Sequence, residues 1–249
     1  MLEHSFQTPL PLTFEVSIPS GDIEVETDGT EETSVTVDGD ERMLEHVEVH
    51  HSGNRVSVTL REKSKLGFFG SIFNGGLRVR ARVPHGASVR IKTASADTEL
   101  AGHFGALEVN SASGDVRLRG ELVDDATIKT VSGDVELERV DGDLSVQCVS
   151  GDIRARAVAG SVDTKSVSGD IRLDALTTGS VRFTSVSGDI EIGIAQGSLL
   201  DVDAGSTSGD LSSVVPLASE PVTGVGAAAP TVVLRGRTVS GDVRVFRAG

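Results

Sequence analysis

Residues 130–137 read TVSGDVEL, and closely similar stretches follow at 166–173 (SVSGDIRL) and 185–192 (SVSGDIEI). Their shared Ser-Gly-Asp triplet occurs eight times, beginning at Ser20, Ser113, Ser132, Ser150, Ser168, Ser187, Ser208 and Ser240. From Ser113 to Ser208, successive triplets begin 18 to 21 residues apart. A short and nearly fixed period indicates a repeat architecture in which each repeat packs on its neighbours.

Apolar residues alternate with polar ones on both sides of the triplet. Val135 and Leu137 follow one triplet, and Leu144 and Val146 precede the next. Alternation with a period of two is typical of strands that have one buried face. Strands this short bury that face only when the repeats stack, about 4.8 Å apart. The sequence therefore predicts an all-β fold: a single-stranded parallel β-helix, or β-solenoid, right-handed because parallel crossovers overwhelmingly are.

The glycine and aspartate of the triplet are predicted to form the bend between the two strands of each coil. Glycine tolerates the backbone dihedral angles that such a bend requires. Aspartate is expected to accept hydrogen bonds from nearby backbone amides, as in an Asx turn. Stacked in register, the coils would form a structural ladder of Gly114, Asp115, Gly133, Asp134, Gly151, Asp152, Gly169, Asp170, Gly188, Asp189, Gly209 and Asp210.

A column of like charges about 4.8 Å apart repels itself unless the charges are compensated. Backbone amides and neighbouring Ser hydroxyls are the favoured compensation, and bound Ca²⁺ is the alternative. Calcium-binding solenoids of the Gly-Gly-x-Gly-x-Asp type need several Gly and Asp residues per turn, a pattern that this sequence lacks. We therefore predict no cofactor.

The chain is predicted to form one continuous structural unit with two parts. Residues 1–92 are an irregular β-rich N-terminal part and cap, and residues 93–249 are the regular coils. Residues 212–230 are predicted to be a loop insertion before the closing coil, because the last two triplets begin 32 residues apart.

Charge is distributed unevenly in this acidic chain, whose net charge is −14. Residues 1–50 carry thirteen acidic residues and one Arg, whereas residues 51–92 carry nine basic residues and one Glu. Ion pairs between neighbouring strands are the favoured interpretation, and an electrostatic interface is the alternative. An acidic chain without Trp or Tyr argues against nucleic acid as a partner.

The segment 63–76, KSKLGFFGSIFNGG, concentrates apolar side chains between glycines: Phe68, Phe69, Ile72 and Phe73. Two interpretations are equally favoured. The segment is a cap folded over an open end of the solenoid, or it is an exposed contact for a partner or a membrane surface.

Residues with metal-binding or catalytic chemistry are few. His46, Glu48 and His50 lie on one face of a predicted strand, but no fourth ligand can be identified, so an exposed polar face is favoured over a metal site. Cys148 stands in a column of Ser and Thr and is predicted to be a small buried side chain. With no secretory signal and no apolar run of roughly 18 residues, the sequence predicts a cytoplasmic protein and disfavours membrane contact.

The V-S-G-D-[IV] coils, together with the segment VRARVPHGASVRIKT at 79–93, resemble a bacterial β-strand-repeat family of unknown function labelled "putative adhesin". The resemblance covers nearly the whole chain. It implies a single-stranded parallel β-helix without a known active site, so it supplies no catalytic residue.

Two functional hypotheses follow. The first is a non-catalytic scaffold or protein-interaction module, self-assembling end to end, because residues 1–50 are acidic and the last coil carries Arg235, Arg237, Arg244 and Arg247. The second is a surface or carbohydrate-binding adhesin-like protein, with Ca²⁺ at the aspartate ladder. Neither hypothesis makes the chain an enzyme, and neither identifies a small-molecule ligand.

Overall fold

The structure, a computed structural model, describes residues 1–61, 76–214 and 230–248. Within these ranges it contains 21 strands and one four-residue helix. The chain divides into two compact units, which we call unit 1 (Met1–Val123) and unit 2 (Asp124–Gly249). No helix in the described ranges has the length and apolar character needed to cross a membrane.

The described elements of unit 1 are β1 (Leu2–Gln7), β2 (Thr13–Asp28), β3 (Glu32–Asp38), α1 (Glu41–Leu44), β4 (Val47–Ser52), β5 (Arg55–Leu60), β6 (Leu77–Pro84), β7 (Ser88–Phe104), β8 (Leu107–Asn110) and β9 (Val116–Leu122). Those of unit 2 are β10 (Ala126–Ser132), β11 (Val135–Val140), β12 (Leu144–Ser150), β13 (Ile153–Val158), β14 (Val162–Lys165), β15 (Ile171–Leu176), β16 (Gly179–Ser187), β17 (Ile190–Ile194), β18 (Leu199–Ser208), β19 (Leu211–Ser213), β20 (Thr231–Ser240) and β21 (Val243–Arg247).

Unit 1 is a stack of parallel coils with an antiparallel margin. Strand β2 lies between β7 on one side and β5 with β6 on the other, and β7 pairs in turn with β8 and β9. Strand β3 pairs antiparallel with β6, β4 pairs antiparallel with β5, and β1 pairs with β3. These antiparallel strands cover the edge that β5 and β6 would otherwise expose, which protects it from pairing with another chain.

The ion pairs favoured by the sequence are present across β2 and β6. Arg78 pairs with Asp22 at 3.1 Å, Arg80 with Glu24 at 3.8 Å, and Arg82 with Glu26 at 3.6 Å. All six side chains are at least 43% exposed. Such exposed pairs each contribute little to stability, so the acidic and basic rows mainly satisfy one another.

Unit 2 is a regular parallel stack of six coils, each with one strand on either side of a triplet. The first four, β10/β11, β12/β13, β14/β15 and β16/β17, follow one another as they do in the chain. Their inward residues, such as Val135, Ile153, Ile171 and Ile190, are at most 1% exposed and form the core. The predicted all-β parallel solenoid is thus confirmed in each unit.

The order of the last two coils of unit 2 corrects the prediction of a closing coil. Strand β20 pairs with β16 on one side and with β18 on the other, and β21 likewise lies between β17 and β19. The last coil in the chain is therefore inserted, and the coil of β18 and β19 lies at the end of the stack. A Cβ added at Gly236 of β20 would lie 2.5 Å from the ring of Phe183 in β16, so the small residue accommodates the large one.

Composition gives the physical reason for this order. The inserted coil offers Val232, Leu234, Val243 and Val245, all fully buried. Strand β19 at the end of the stack has only exposed residues. A polar coil exposes less apolar surface at the end of a stack than an apolar coil would.

Several sequence predictions have other outcomes. Strand β1 and helix α1 were not predicted. The helix is a single turn, and Asp40 caps its N-terminus by accepting a hydrogen bond from the backbone amide of Arg42. Phe68, Phe69, Ile72 and Phe73 lie outside the described residues, as does most of the predicted loop at 212–230. The boundary between residues 92 and 93 falls within β7 and stays a prediction.

Candidate functional site

The bends of unit 2 form a straight file of glycines. Gly133, Gly151, Gly169 and Gly188 all have positive φ angles, between 116° and 135°. A Cβ added at any of the last three would lie 2.2 Å from the carbonyl oxygen of the glycine one coil earlier. Each bend thus requires glycine twice, for its dihedral angle and for the close approach of the next coil.

Along the same file, each aspartate except Asp210 at the end of the stack accepts a hydrogen bond from the backbone amide of the next coil. The amides of Asp152, Asp170 and Asp189 donate to the Oδ1 atoms of Asp134, Asp152 and Asp170, at 2.8 to 2.9 Å. The Asp242 amide continues the series by donating to Asp189, and the Asp210 amide donates to Asp242. Compensation by backbone amides is present, but it joins consecutive coils, whereas the sequence predicted a local Asx turn. We call this set the aspartate file.

A second column stabilises the inner side of the bend. The hydroxyls of Thr130, Ser166, Ser185 and Thr238 donate to the carbonyl oxygen two residues ahead, at 2.9 to 3.2 Å. Cys148 occupies the same column, and its Sγ lies 3.9 Å from the carbonyl oxygens of Gly133 and Gly151. Burial raises the pKa of the Cys148 thiol, which disfavours the reactive thiolate. The residue is a small buried side chain, as the sequence predicted.

A groove of about 380 Å³ runs beside the aspartate file. One wall is formed by Asp134, Asp152, Asp170 and Asp189. The other wall is formed by the outward residues of β11, β13, β15 and β17, which lie side by side in register: Glu136, Arg154, Arg172 and Glu191. Six carboxylates and two guanidinium groups therefore face a single open groove.

The two arginines of the groove are held by Asp174, which lies two residues beyond Arg172 on β15. Arg172 Nε donates to Asp174 Oδ1 at 2.6 Å, and Arg154 Nη2 donates to Asp174 Oδ2 at 3.2 Å. Burial acts to raise the pKa of Asp174, but the hydrogen bonds from Arg172 and Arg154 outweigh it and lower the pKa below its usual value. Arg172 also pairs with Glu191 and lies over the ring of Phe246, 5.8 Å from its centroid. These contacts fix the positions of the two arginines in the groove.

The residues proposed for metal binding do not come together. Glu48 pairs with Arg61 at 3.1 Å, while His46 precedes β4 and His50 is exposed on it. Among residues 1–61, 76–214 and 230–248, no group of three or more His, Cys, Asp and Glu side chains could hold a metal ion.

The first rungs of the predicted ladder lie in unit 1. Gly114 has a φ of 108°, and a Cβ there would lie 2.3 Å from the carbonyl oxygen of Ala96. The amide of Asp115 donates to Oδ1 of Asp97 at 2.9 Å. The preceding coil has Ser95-Ala96-Asp97 in place of a triplet. Asp97 accepts a hydrogen bond as the aspartates of unit 2 do, but Ala96 lacks the positive φ of the triplet glycines.

Sequence reasoning missed the groove residues Glu136, Arg154, Arg172 and Glu191. Their signal was available, because each is the first polar residue after the apolar residue that follows a triplet. Positions of this kind face outward in a solenoid and lie side by side in successive coils. Asp242 was missed as a neighbour of Asp189 because the predicted coil order followed the chain.

Comparison with known proteins gives one family and several similar folds. The family described as Toastrack DUF4097 matches residues 12–246. Crystal structures described as "putative adhesin" come from Bacteroides fragilis (14% identity, TM-score 0.54) and Parabacteroides distasonis (13%, 0.54). A "putative lipid binding protein" from Parabacteroides distasonis has 15% identity and a TM-score of 0.60. Each alignment covers 98% of this chain and 96% of the other, and at such identities the likeness shows the fold alone. No curated protein matches the chain.

Proposed function

The chain belongs to the Toastrack DUF4097 family, and from that premise we propose that it is a non-catalytic β-solenoid scaffold that binds a protein partner at the groove of unit 2. The observation that carries this proposal is the aspartate file, in which backbone amides hold one carboxylate per coil in a fixed position. A surface held by its own backbone loses little conformational entropy when it binds.

The groove has the chemistry of recognition. Each Oδ1 of the file from Asp134 to Asp170 already accepts a backbone amide, which ties these carboxylates to the fold. The arginines that face them are held by Asp174. Since the groove carries six acidic and two basic side chains, the complementary partner presents basic groups. The net charge of −14 would also steer such a partner towards the chain.

A carbohydrate is the second candidate ligand. Carboxylates accept and guanidinium groups donate hydrogen bonds, and the groove presents both kinds of group to sugar hydroxyls. This function would place the protein at a cell surface, whereas a protein partner agrees with the cytoplasmic location predicted from the sequence.

End-to-end self-assembly stays a prediction, and the contacts of the arginines that motivated it give it less support. Arg235 and Arg237 pair with Asp203, at 3.6 and 3.4 Å, and Arg247 donates to the carbonyl oxygens of Ala195 and Ser198. Three of the four arginines that motivated the hypothesis are therefore engaged within unit 2.

The proposal is tested by removing charge from the aspartate file without removing its hydrogen bonds. In the double variant Asp152→Asn and Asp170→Asn, each side chain keeps an oxygen that accepts the amide of the next coil. Tagged wild-type and variant chains are used to capture partners from a lysate of the native host, with quantification by mass spectrometry. We expect the captured partner to fall at least tenfold with the variant.

The matched control is Glu3→Gln with Glu31→Gln, which removes the same charge from exposed positions of unit 1. Equal capture by the wild type and the groove variant would overturn the proposal, and an equal loss with the control would reduce it to a net-charge effect. A glycan array probed with the same chains distinguishes the carbohydrate alternative, which requires binding that the groove variant abolishes.

A further inference from the structure

Five exposed valines form an apolar ridge along unit 2. Each stands directly before the Ser of a triplet and is between 45% and 52% exposed. The serines that follow them are in register from coil to coil, so the valines stack in one line, about 4.8 Å apart. The valine ridge consists of Val131, Val149, Val167, Val186 and Val239.

The bend does not require valine at this position. Triplets elsewhere in the chain are preceded by Pro19, Ala112 and Thr207. Gly114, two residues after Ala112, has a φ of 108°, close to the 112° to 135° of the five glycines that follow the ridge valines. Five half-exposed valines in adjacent coils are thus an apolar surface that the fold itself does not need, and such surfaces mark interaction sites.

Opposite charges flank the ridge. Two residues before each valine is an outward position, occupied in stack order by Lys129, Gln147, Lys165, Thr184 and Arg237. Lys129 and Lys165 are exposed and make no ion pair within the described part of the chain. Three residues after each valine stands a member of the aspartate file. The ridge therefore has a basic column on one side and an acidic file on the other.

We propose that the valine ridge is the contact through which a second copy of this chain packs, with a two-fold axis running along the ridge. A rotation about that axis keeps each coil at its own level and exchanges the two sides of the ridge. Lys129 of one copy then faces Asp134 of the second copy, and Lys165 faces Asp170. The inference rests on the proposed function and deepens it, because the partner that brings basic groups to the aspartate file is a second copy.

The other arrangements are electrostatically worse. With a two-fold axis across the ridge, the aspartate file would face the aspartate file of the second copy, and like charges would repel. An anionic lipid surface would meet the same repulsion from the file. Symmetric packing of one patch on itself is also the commonest way in which soluble proteins associate.

The size of the contact predicts a weak dimer. The ridge alone offers a few hundred Å² of apolar surface, as do the largest patches on many monomers. Even with both flanking columns covered, a contact built on five valines stays below the roughly 800 Å² per partner of a standard-sized interface. We expect a dissociation constant in the micromolar range.

Sedimentation velocity over a protein concentration series tests the contact. We expect the wild type to pass from monomer to dimer, and Val149→Ser with Val186→Ser to raise the dissociation constant at least tenfold. The control, Val123→Ser with Val214→Ser, changes two valines outside the ridge that are 54% and 69% exposed, and it should leave the dissociation constant unchanged. A wild type that stays monomeric at all concentrations, or a dimer that both pairs weaken equally, overturns the inference.

Disulfide trapping tests the orientation of the two copies. The native cysteine is first removed by Cys148→Ser, because serine is the residue found at the equivalent positions Ser166 and Ser185. With an axis along the ridge, Val131→Cys chains cross-link to one another. With an axis across it, they cross-link only to Val239→Cys chains, and that result overturns the proposal. Reversing the basic column with Lys129→Glu and Lys165→Glu should weaken the dimer further at low salt.

These outcomes separate the inference from the proposed function. A monomeric wild type that still captures another protein through Asp152 and Asp170 disproves the dimer and leaves the groove function standing. The dimer could instead depend on the ridge and not be weakened by Asp152→Asn with Asp170→Asn. If such a chain also captures no other protein, the role of the aspartate file is disproved.

Discussion

A methyl group at Gly169 would lie 2.2 Å from the carbonyl oxygen of Gly151, at a φ of 119° that side chains rarely adopt. Gly169→Ala should therefore lower the free energy of unfolding by about 3 kcal/mol or more, measured by urea titration. Gly197→Ala is the control, because Gly197 also has a positive φ but has no atom within 4 Å of the added methyl group. Its cost should be only about 1 kcal/mol. Equal losses would show that coil stacking is not what requires glycine.

Asp174 gives the fold a predictable pH dependence. Hydrogen bonds from Arg172 and Arg154 overcome the effect of burial and lower its pKa below 3.8, so its ion pairs stabilise the folded state above that pH. This contribution is lost as the pH falls through the lower pKa of the folded state. Asp174→Asn should cost about 1 kcal/mol at pH 7, and the difference from the wild type should vanish in strong acid.

The control for that pH series is Asp201→Asn, at an exposed aspartate that makes no ion pair in the described ranges. It should change the free energy of unfolding by less than about 0.5 kcal/mol at every pH. A cost of Asp174→Asn that does not decrease as the pH is lowered further and further below 3.8 would contradict the assignment to an ionised carboxylate.

Single residues could be predicted where one chemical property decides the outcome. Glycine at Gly151 and Gly169 was predicted because few other residues permit such a bend. The acceptor role of Asp170 was predicted as well, but its donor was not. Whether an amide lies nearby in the chain or one coil away depends on stacking, which the residue type does not reveal.

At the scale of strands, coil order makes a prediction for hydrogen exchange. Strand β20 is paired on both sides, with β16 and with β18. Among the described strands, β18 is paired on one side only, with β20. Amides of 231–240 should therefore exchange at least tenfold more slowly than those of 199–208, measured by mass spectrometry of peptides. Stacking in chain order would place β18 inside and give the opposite ranking. Strand β12, which also has two paired neighbours, supplies the reference for slow exchange.

The strands themselves could be read from alternation, but their order could not. Period-two alternation predicts which face of β20 is buried, but it does not predict which strand pairs with β20. The composition held a clue, since Val245 is apolar where Ser213 stands in the preceding coil. A polar coil suits the end of a stack, and the 32-residue step between the last two triplets leaves enough chain for the last coil to be inserted.

For the molecule as a whole, the fold is fixed by inward residues and leaves the outward ones free. Structures with only 13% to 15% identity to this chain share its fold over 98% of its length. Strand pattern and family resemblance therefore sufficed to predict the solenoid. They could not predict the groove, because exposed charges such as Glu136 and Arg154 contribute little to folding.

This separation can be tested with one variant that changes the groove and keeps the net charge. Glu136→Gln, Arg154→Gln, Arg172→Gln and Glu191→Gln together remove two charges of each sign, so the chain remains at −14. We expect an unchanged far-UV circular dichroism spectrum and a loss of no more than about 2 kcal/mol in stability, because the replaced groups are exposed or half-exposed. Partner capture should nevertheless fall at least tenfold. The single change Ile153→Gln is at a side chain only 1% exposed. It should lower the free energy of unfolding by about 3 kcal/mol or more and leave the charged groups of the groove unchanged. A groove variant that unfolds, or one that captures its partner as the wild type does, would show that fold and recognition are not divided between the inner and outer faces of these strands.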